Sequence, residues 1–465
     1  MRTDARTNDV IVFTTSSPTA RQIHVMEALG EWFGVDIKVE AQGDMTGVSS
    51  LETAHGLKWT WHDHAILREG ASLFEPMDWG VWKDEERGVV LMLPCFISEP
   101  RGMAGTAENG HHLEFDPVGV TFWALTCWAE RAGEWPNDEH GRPTTVRLPW
   151  RHVHGQARFL DHAIAMKDQH HWPWVELMWG AVFHALGIAW SRRLTFKPTV
   201  DIDVAFKHLG RPRWKSTLLQ VRDVLAARWQ LVQERKRVLA GQLMDPYDTY
   251  AFFNDLHRHD SLLWFVLASD RHAPHDVGLN PDGEVLPALV ESLGSAHEGS
   301  RVCWHPGYRA VDQEKVRLAE HRRISEWQGV DLTAVRTHFL RGPSHKWWGM
   351  LESMGIREDM SLGWSRDVGF RSGISRSFLG YDLTEDRAMA VRIHPIAVMD
   401  VGMVLGLLWS AEEAKEKLSA RMEVVAEVGG DWMSCWHNTS VSEEPLWRGW
   451  RATYLHMVKE ARRLS

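Results

Sequence analysis

Cysteine is scarce: four residues in 465, Cys95, Cys127, Cys303 and Cys435, far apart and without CxxC spacing. This argues against a disulfide framework and a cysteine-built zinc site, and buried free thiols are expected. No run of 18 apolar residues occurs, so no transmembrane helix is expected. The opening residues, MRTDARTNDVIVFTTSSPTARQ, hold no apolar stretch long enough for a signal peptide, which points to the cytoplasm. Basic charge is also short, with 52 Lys and Arg against 62 Asp and Glu, a net charge of −10. That weighs against a nucleic-acid or anionic-membrane partner, since both need a basic surface. Tyrosine is rare at 5, whereas tryptophan and histidine reach 26 each. Tryptophan suits stacking on sugar faces, although most such residues are expected in the core.

The N-terminal part reads as an αβ element. NDVIVFTTSS is a strand, PTARQIHVMEALGEWFG carries apolar residues at helical spacing, and VDIKVEA is a second strand. Residues 117–133 and 174–190 read as helices. From residue 198 strands and helices alternate. The strand-like runs are TVDIDVAF, SLLWFVLAS (261–269), RVCWHPGY (301–308), AVRTHFL (334–340), MSLGW (360–364), AVRIHPIAVMD (390–400) and DWMSCWHNTS (431–440). The helical patterns between them include STLLQVRDVLAARWQLVQERKRVLAG, VLPALVESLG, EKVRLAEHRRISEWQ and SAEEAKEKLSARMEVVAEVG. Such alternation implies a parallel sheet, and its count fits a (β/α) barrel better than an open sheet without excluding the latter. Residues 1–194 form a smaller α/β domain in this reading, and 195–465 the barrel.

In a parallel barrel the chemistry sits where strands run out at their C-terminal ends. Asp201 and Asp203 stand two residues apart in an apolar run and so share a face. His305 lies on the third run, Arg336 and His338 on the fourth, and His437 and Asn438 on the last. Two close carboxylates repel unless a cation or arginine neutralises them. A divalent metal held by one Asp and one or two His would do so and would leave positions open to water and substrate. The other carboxylate can act as general base and a histidine as general acid. The set spells metal-assisted hydrolysis.

The serial motifs TVDIDVAF, DPYDTYAFF, CWHPGYRA, VRTHFLR, GIREDMSLGW, GFRSGISRSF, IAVMDVGM and WHNTSVSEEPLWRGWRATY resemble a bacterial branch of the polysaccharide deacetylase superfamily, similar to carbohydrate esterase family four. The resemblance covers residues 195–463, and the stretch before it looks like the α/β domain of unknown function that precedes the deacetylase module there. It implies a deformed (β/α)7 barrel and metal-dependent removal of an N- or O-linked acetyl group from a sugar in surface-glycan assembly, with zinc the implied metal. It makes Asp201 the base and Asp203 a ligand. Ile202 between them departs from the pattern, so the two roles could be swapped. His305 matches the first of two metal histidines, but the position four later is Arg309, and His338 is the candidate replacement. His437 matches the general acid.

Further candidates are Arg336 to orient the base, and Arg371, Arg376, Tyr308 and Trp436 to bind substrate. Trp304 and Trp364 also flank strand ends. Asp245 reads as a helix N-cap. The histidine-rich stretch 151–174 is irregularly spaced, which argues against a physiological metal site there. The N-terminal domain could bind the rest of the substrate, mediate dimerisation or cap the barrel mouth. A different class of function stays open: a barrel without chemistry that binds carbohydrate or serves as a scaffold.

Overall fold

The computed structural model describes residues 10–44, 47–63, 65–67, 78–84, 89–95, 104–107, 110–113, 115–131, 137–142, 169–270, 275–342 and 344–465. Two sheets dominate it. The first has six strands, β1 (Val10–Thr15), β2 (Asp36–Ala41), β3 (Val48–Thr53), β4 (Lys58–His62), β7 (Ala104–Ala107) and β8 (Gly110–His112), in the order β2-β1-β3-β4-β8-β7. Strands β5 (Asp78–Asp84) and β6 (Val89–Cys95) pair separately. Helix Ala20–Phe33 links β1 to β2, which pair in parallel. Thr19 and Gln22 close a reciprocal capping box at its start, and Gly34 ends it in the left-handed region at φ 67°.

The second sheet has nine strands: β9 (Thr195–Ile202), β10 (Leu262–Leu267), β11 (Ser300–His305), β12 (Ala334–Val335), β13 (Glu358–Asp359), β14 (Phe378–Asp382), β15 (Arg387–Ile393), β16 (Val398–Met399) and β17 (Asp431–His437). Their order is β14-β15-β13-β12-β11-β10-β9-β17-β16, and every pairing is parallel except β14 with β15. The expected closed barrel is therefore corrected: among the described residues the ladder stays open. The run from β15 to β16 spans the gap, where the His394 amide donates to the Asp359 carbonyl and the Ala397 amide to the Met433 carbonyl.

The expected single helix over 216–241 is two, Arg213–Leu225 and Trp229–Leu239, broken where Ala227 takes φ 54°. The helix expected over 117–133 likewise breaks at Cys127, φ 48°, and the one over 174–190 ends at Ala185. The run 360–364 is not a strand, the run 334–340 pairs only at its first two residues, and β14 was not anticipated.

Cys127, Cys303 and Cys435 are buried free thiols, and Trp59, Trp61, Trp179, Trp264, Trp304, Trp348, Trp432 and Trp436 are fully buried. The core is continuous across both sheets. Polar contacts cross it too: Arg21 pairs with Asp386 at 2.7 Å, and the Trp32 indole N–H donates to the Ser377 carbonyl at 2.9 Å. Among the described residues no helix is long and apolar enough to cross a membrane.

Candidate active site

Strand β9 is flanked by β10 and β17, with Asp201 opposite both Phe265 and His437. Asp203 lies just past the strand end. The strand-end residues of β11 and β17 and the loop after β12 turn toward it. The Nε2 atoms of His305, His338 and His437 lie 3.1, 3.3 and 3.4 Å from the Asp203 carboxylate. Asp203, His305 and His338 each offer one ligand atom, all within 4.8 Å of one another.

The far side of each ring is also engaged. His305 Nδ1 sits 2.5 Å from the Arg336 carbonyl, His338 Nδ1 2.6 Å from Asp276, and His437 Nδ1 2.8 Å from Asp400. A carbonyl or carboxylate can only accept, so each Nδ1 carries the proton and a neutral ring presents a bare lone pair at Nε2. Those lone pairs face a carboxylate that also only accepts. Either the rings are imidazolium ions or a cation stands between them. The donor set, with anchored imidazoles, fits a divalent metal such as zinc.

Charge balance follows the same lines. Burial favours a protonated Asp203, but the charges of His338 and His437 and the hydrogen bond from His305 hold it well below the usual carboxylate range. Burial works to lower His338, yet Asp203 and Asp276 raise it to about 9. His437 is likewise pulled down by burial and held far above its ordinary value by Asp400 and Asp203. Asp201 is buried and still kept low, chiefly by Arg336. The Arg336 guanidinium is fully enclosed: it meets Asp201 and the Thr199 hydroxyl at 2.7 Å each, donates to the Met360 carbonyl at 2.9 Å, and lies 4.2 Å from the Phe265 ring centre.

These groups open onto a cavity of about 330 Å³ lined by Asp201, Asp203, His305, His338 and His437. Met399, Val401 and Leu405 form an apolar wall, and Arg366 adds a cation. His140 and Arg142 from the N-terminal part line it as well, and Arg142 donates to the Phe339 carbonyl at 3.0 Å.

The structure does not bring every expected residue here. Arg371 is spent on Glu130 through two 2.7 Å bonds, and Arg376 donates its amide to Glu176 and its guanidinium to the Val428 carbonyl. Both lie outside the cavity, because they fasten the N-terminal segment to the sheet. Trp436 and Trp304 are wholly buried, and Trp364 is 4% exposed. On β17 and β11 the alternation that points His437 and His305 to the mouth sends their tryptophan neighbours to the helix side. Tyr308 is half-buried, its hydroxyl on His140 at 3.1 Å, and does not line the cavity. Arg309 is exposed. Asp245 is no helix cap: its carboxylate accepts the amides of Lys207, His208 and Leu209 and so anchors the loop after Asp203.

Sequence reasoning missed Asp276, Asp400, His140 and Arg142. Asp400 ends the run AVRIHPIAVMD, so the strand-end rule could have found it; Asp276 and the N-terminal pair sit in loops with no periodic signal. Of the histidine-rich stretch, residues 151–168 lie outside the described residues. His170 and His171 hold Asp367 at 3.0 and 2.9 Å, and Arg421 stands 3.2 Å from His171 Nδ1. These three ligand-type residues also group within 4.8 Å, and they clamp the N-terminal segment onto the 365–376 loop.

No protein-family model and no curated protein sequence matches the chain. Among solved structures it is similar to a protein described as a polysaccharide deacetylase from Mycobacterium smegmatis, at 14% identity and TM-score 0.36, over 60% of this chain and 92% of that one. It is also similar to Puue allantoinase, at 12% identity and TM-score 0.35, over 59% and 85%.

Proposed function

We propose that the chain is a metal-dependent hydrolase that removes an N- or O-linked acetyl group from a carbohydrate, in surface-glycan biosynthesis. The observation that carries this reading is the set of acceptor-only contacts on both sides of three imidazoles converging on Asp203. Asp203, His305 and His338 would hold the ion, which we take to be zinc. His338 takes the place left empty by Arg309. When bound, a divalent cation supplies a lowered pKa to water and polarises an acyl carbonyl.

The chain's own groups divide the remaining work. Arg336 keeps Asp201 ionised and binds one carboxylate oxygen, while the other, 4.0 Å from His305 Nε2 and accepting the Cys435 thiol at 3.2 Å, takes a proton from attacking water. The water oxygen bonds to the acyl carbon as the bond to nitrogen or oxygen breaks. His437, held protonated by Asp400, gives its proton to the leaving atom, so acetate and a free amine or alcohol result. The apolar wall of Met399, Val401 and Leu405 limits water, and Arg142 and Arg366 place positive charge over the mouth. We further take residues 1–194 and 195–465 as its two domains, the first contributing to the mouth, and the cytoplasm as its compartment.

The test is metal content followed by product analysis. Wild-type protein should carry about one zinc per chain after reconstitution, and Asp203→Ala and His305→Ala should lose it. A panel of acetylated sugars should then yield acetate. Absence of stoichiometric metal from reconstituted wild type would leave only the scaffold reading, which the exposed Arg309 would favour.

A further inference from the structure

The hydrolytic reading leaves one surface unused. Between β9 and β10 the chain forms the helices Arg213–Leu225 and Trp229–Leu239. On the first, Trp214, Leu218, Val221 and Leu225 are 65%, 60%, 51% and 83% exposed. At about 100° per residue these four fall within an arc of about 60°, a continuous apolar stripe toward solvent. Trp229 at the start of the second helix is 58% exposed and extends it. The stripe is not a sign of loosely packed helices. The opposite side joins them through Asp223 and Arg235 at 2.7 Å, Arg235 and Gln220 at 3.0 Å, and buried Val232 and Val238. Exposed apolar patches of this kind mark interaction sites.

Charge identifies the occupant. Residues 207–244 hold nine Lys and Arg against only Asp223 and Glu234, a local +7 in a chain of −10. Both acids are consumed internally, Asp223 chiefly by Arg235 and also by the more exposed Arg222 and Arg228, and Glu234 by Lys207 and His208. Arg213 falls on one flank of the stripe and Lys215 and Arg222 on the other, about 70–110° from its centre. The whole-chain balance that argued against an anionic surface conceals this local inversion. A second copy of the chain would set +7 against +7, whereas an anionic bilayer offers the opposite sign together with an apolar interior.

We propose that this helix pair docks on an anionic lipid bilayer with the stripe buried at the headgroup boundary. The indoles of Trp214 and Trp229 sit at the interface, and Arg213, Lys215 and Arg222 reach lipid phosphates while their stems cover the apolar edge. The first helix has 13 residues and lies on the membrane, too short to cross it. The pair leaves the sheet at the Asp203 end of β9, and Lys207 at its root pairs with Glu444 at 2.6 Å, beyond His437. Docking therefore brings the cavity end of the sheet to the lipid. The proposal does not depend on what the cavity hydrolyses.

The experiment is vesicle co-sedimentation of the full chain. The protein should bind vesicles of phosphatidylcholine with about 30% phosphatidylglycerol, not phosphatidylcholine alone, and binding should weaken as salt rises. Trp214→Ser with Leu218→Ser and Leu225→Ser should lower the bound fraction at least about tenfold while thermal melting and zinc content stay unchanged. Arg213→Glu with Lys215→Glu should abolish the preference for anionic vesicles. Lack of binding to anionic vesicles at low salt, or full binding by the triple Ser variant, would overturn the proposal. So would a wild-type dimer in light scattering that the triple Ser variant turns into a monomer, which would assign the stripe to self-association.

Discussion

Asp276 touches neither the cavity nor Asp203, yet it should govern zinc affinity. Its carboxylate takes His338 Nδ1 at 2.6 Å and the Tyr308 amide at 3.1 Å. It thus fixes the ring so that Nε2 faces inward and makes it more basic. Asp276→Asn keeps an acceptor oxygen but removes the charge. Loss of such a partner weakens metal binding by about 10- to 100-fold. At free zinc 100-fold above the wild-type Kd, binding stabilises the folded chain by about 2.7 kcal/mol. A tenfold loss leaves about 1.4 kcal/mol and a hundredfold loss about 0.4 kcal/mol. The zinc-induced rise in Tm should therefore shrink by half or more, measured as melts of metal-free and zinc-loaded protein beside isothermal titration. A second readout separates this from general damage. His338 is raised to about 9, so below that pH zinc must displace its proton, and affinity should climb by up to about tenfold per pH unit before levelling. In Asp276→Asn the levelling should move to lower pH. Equal zinc affinity in variant and wild type, with the same pH profile, would refute the assignment of His338 as a ligand.

Asp201→Asn should keep zinc while lowering kcat about 10²- to 10⁴-fold, checked by acetate release and metal analysis on one preparation. His437→Gln should do the same, with the larger loss for the substrate having the poorer leaving group. Glu176 is wholly buried, and burial raises it to about 7 although three donors converge on one of its oxygens. On unfolding its pKa returns to about 4.5, so the folded state holds the extra proton between the two values and stability falls as pH rises through that window, by up to about 3 kcal/mol. Denaturant melts of Glu176→Gln should lack this share of the fall and gain on wild type at pH 8. Gly373 has φ 75°, and a Cβ there would run into the Trp174 indole; Gly373→Ala should cost more than about 1 kcal/mol, seen as a lower melting midpoint.

Local pattern predicted what local forces decide. The helices Val285–Gly294 and Glu314–Gln328 fall where their apolar periodicity puts them, and β10 and β17 lie within their alternating apolar runs, while β9 begins four residues and β11 one residue before theirs. Asp201, Asp203, His305, His338 and His437 could be picked because strand ends are where a parallel sheet exposes polar side chains. Short strands were harder to read. Residues 334–335 and 358–359 hold only two-residue ladders whose existence depends on neighbours far along the chain. Ala227 and Cys127 break helices through backbone conformations that no periodicity encodes. Arg371 and Arg376 look like substrate clamps in isolation, because their partners Glu130 and Glu176 come from an element more than 190 residues away. Asp276 and Arg142 reach the site on loops, whose course depends on the tertiary fold.

The pairing of β9 with β17 has a bearing on biosynthesis. Seven rungs, from Thr195 opposite Asp431 to Asp201 opposite His437, join segments that leave the ribosome more than 230 residues apart. Until the later segment emerges, β9 presents an edge of unpaired backbone N–H and C=O groups, open to misassociation and a natural client for chaperones. The proposed proton donor arrives on that same segment. A chain truncated before that segment keeps Asp203, His305 and His338 but lacks His437, so under the proposed function it should release no acetate even when loaded with metal.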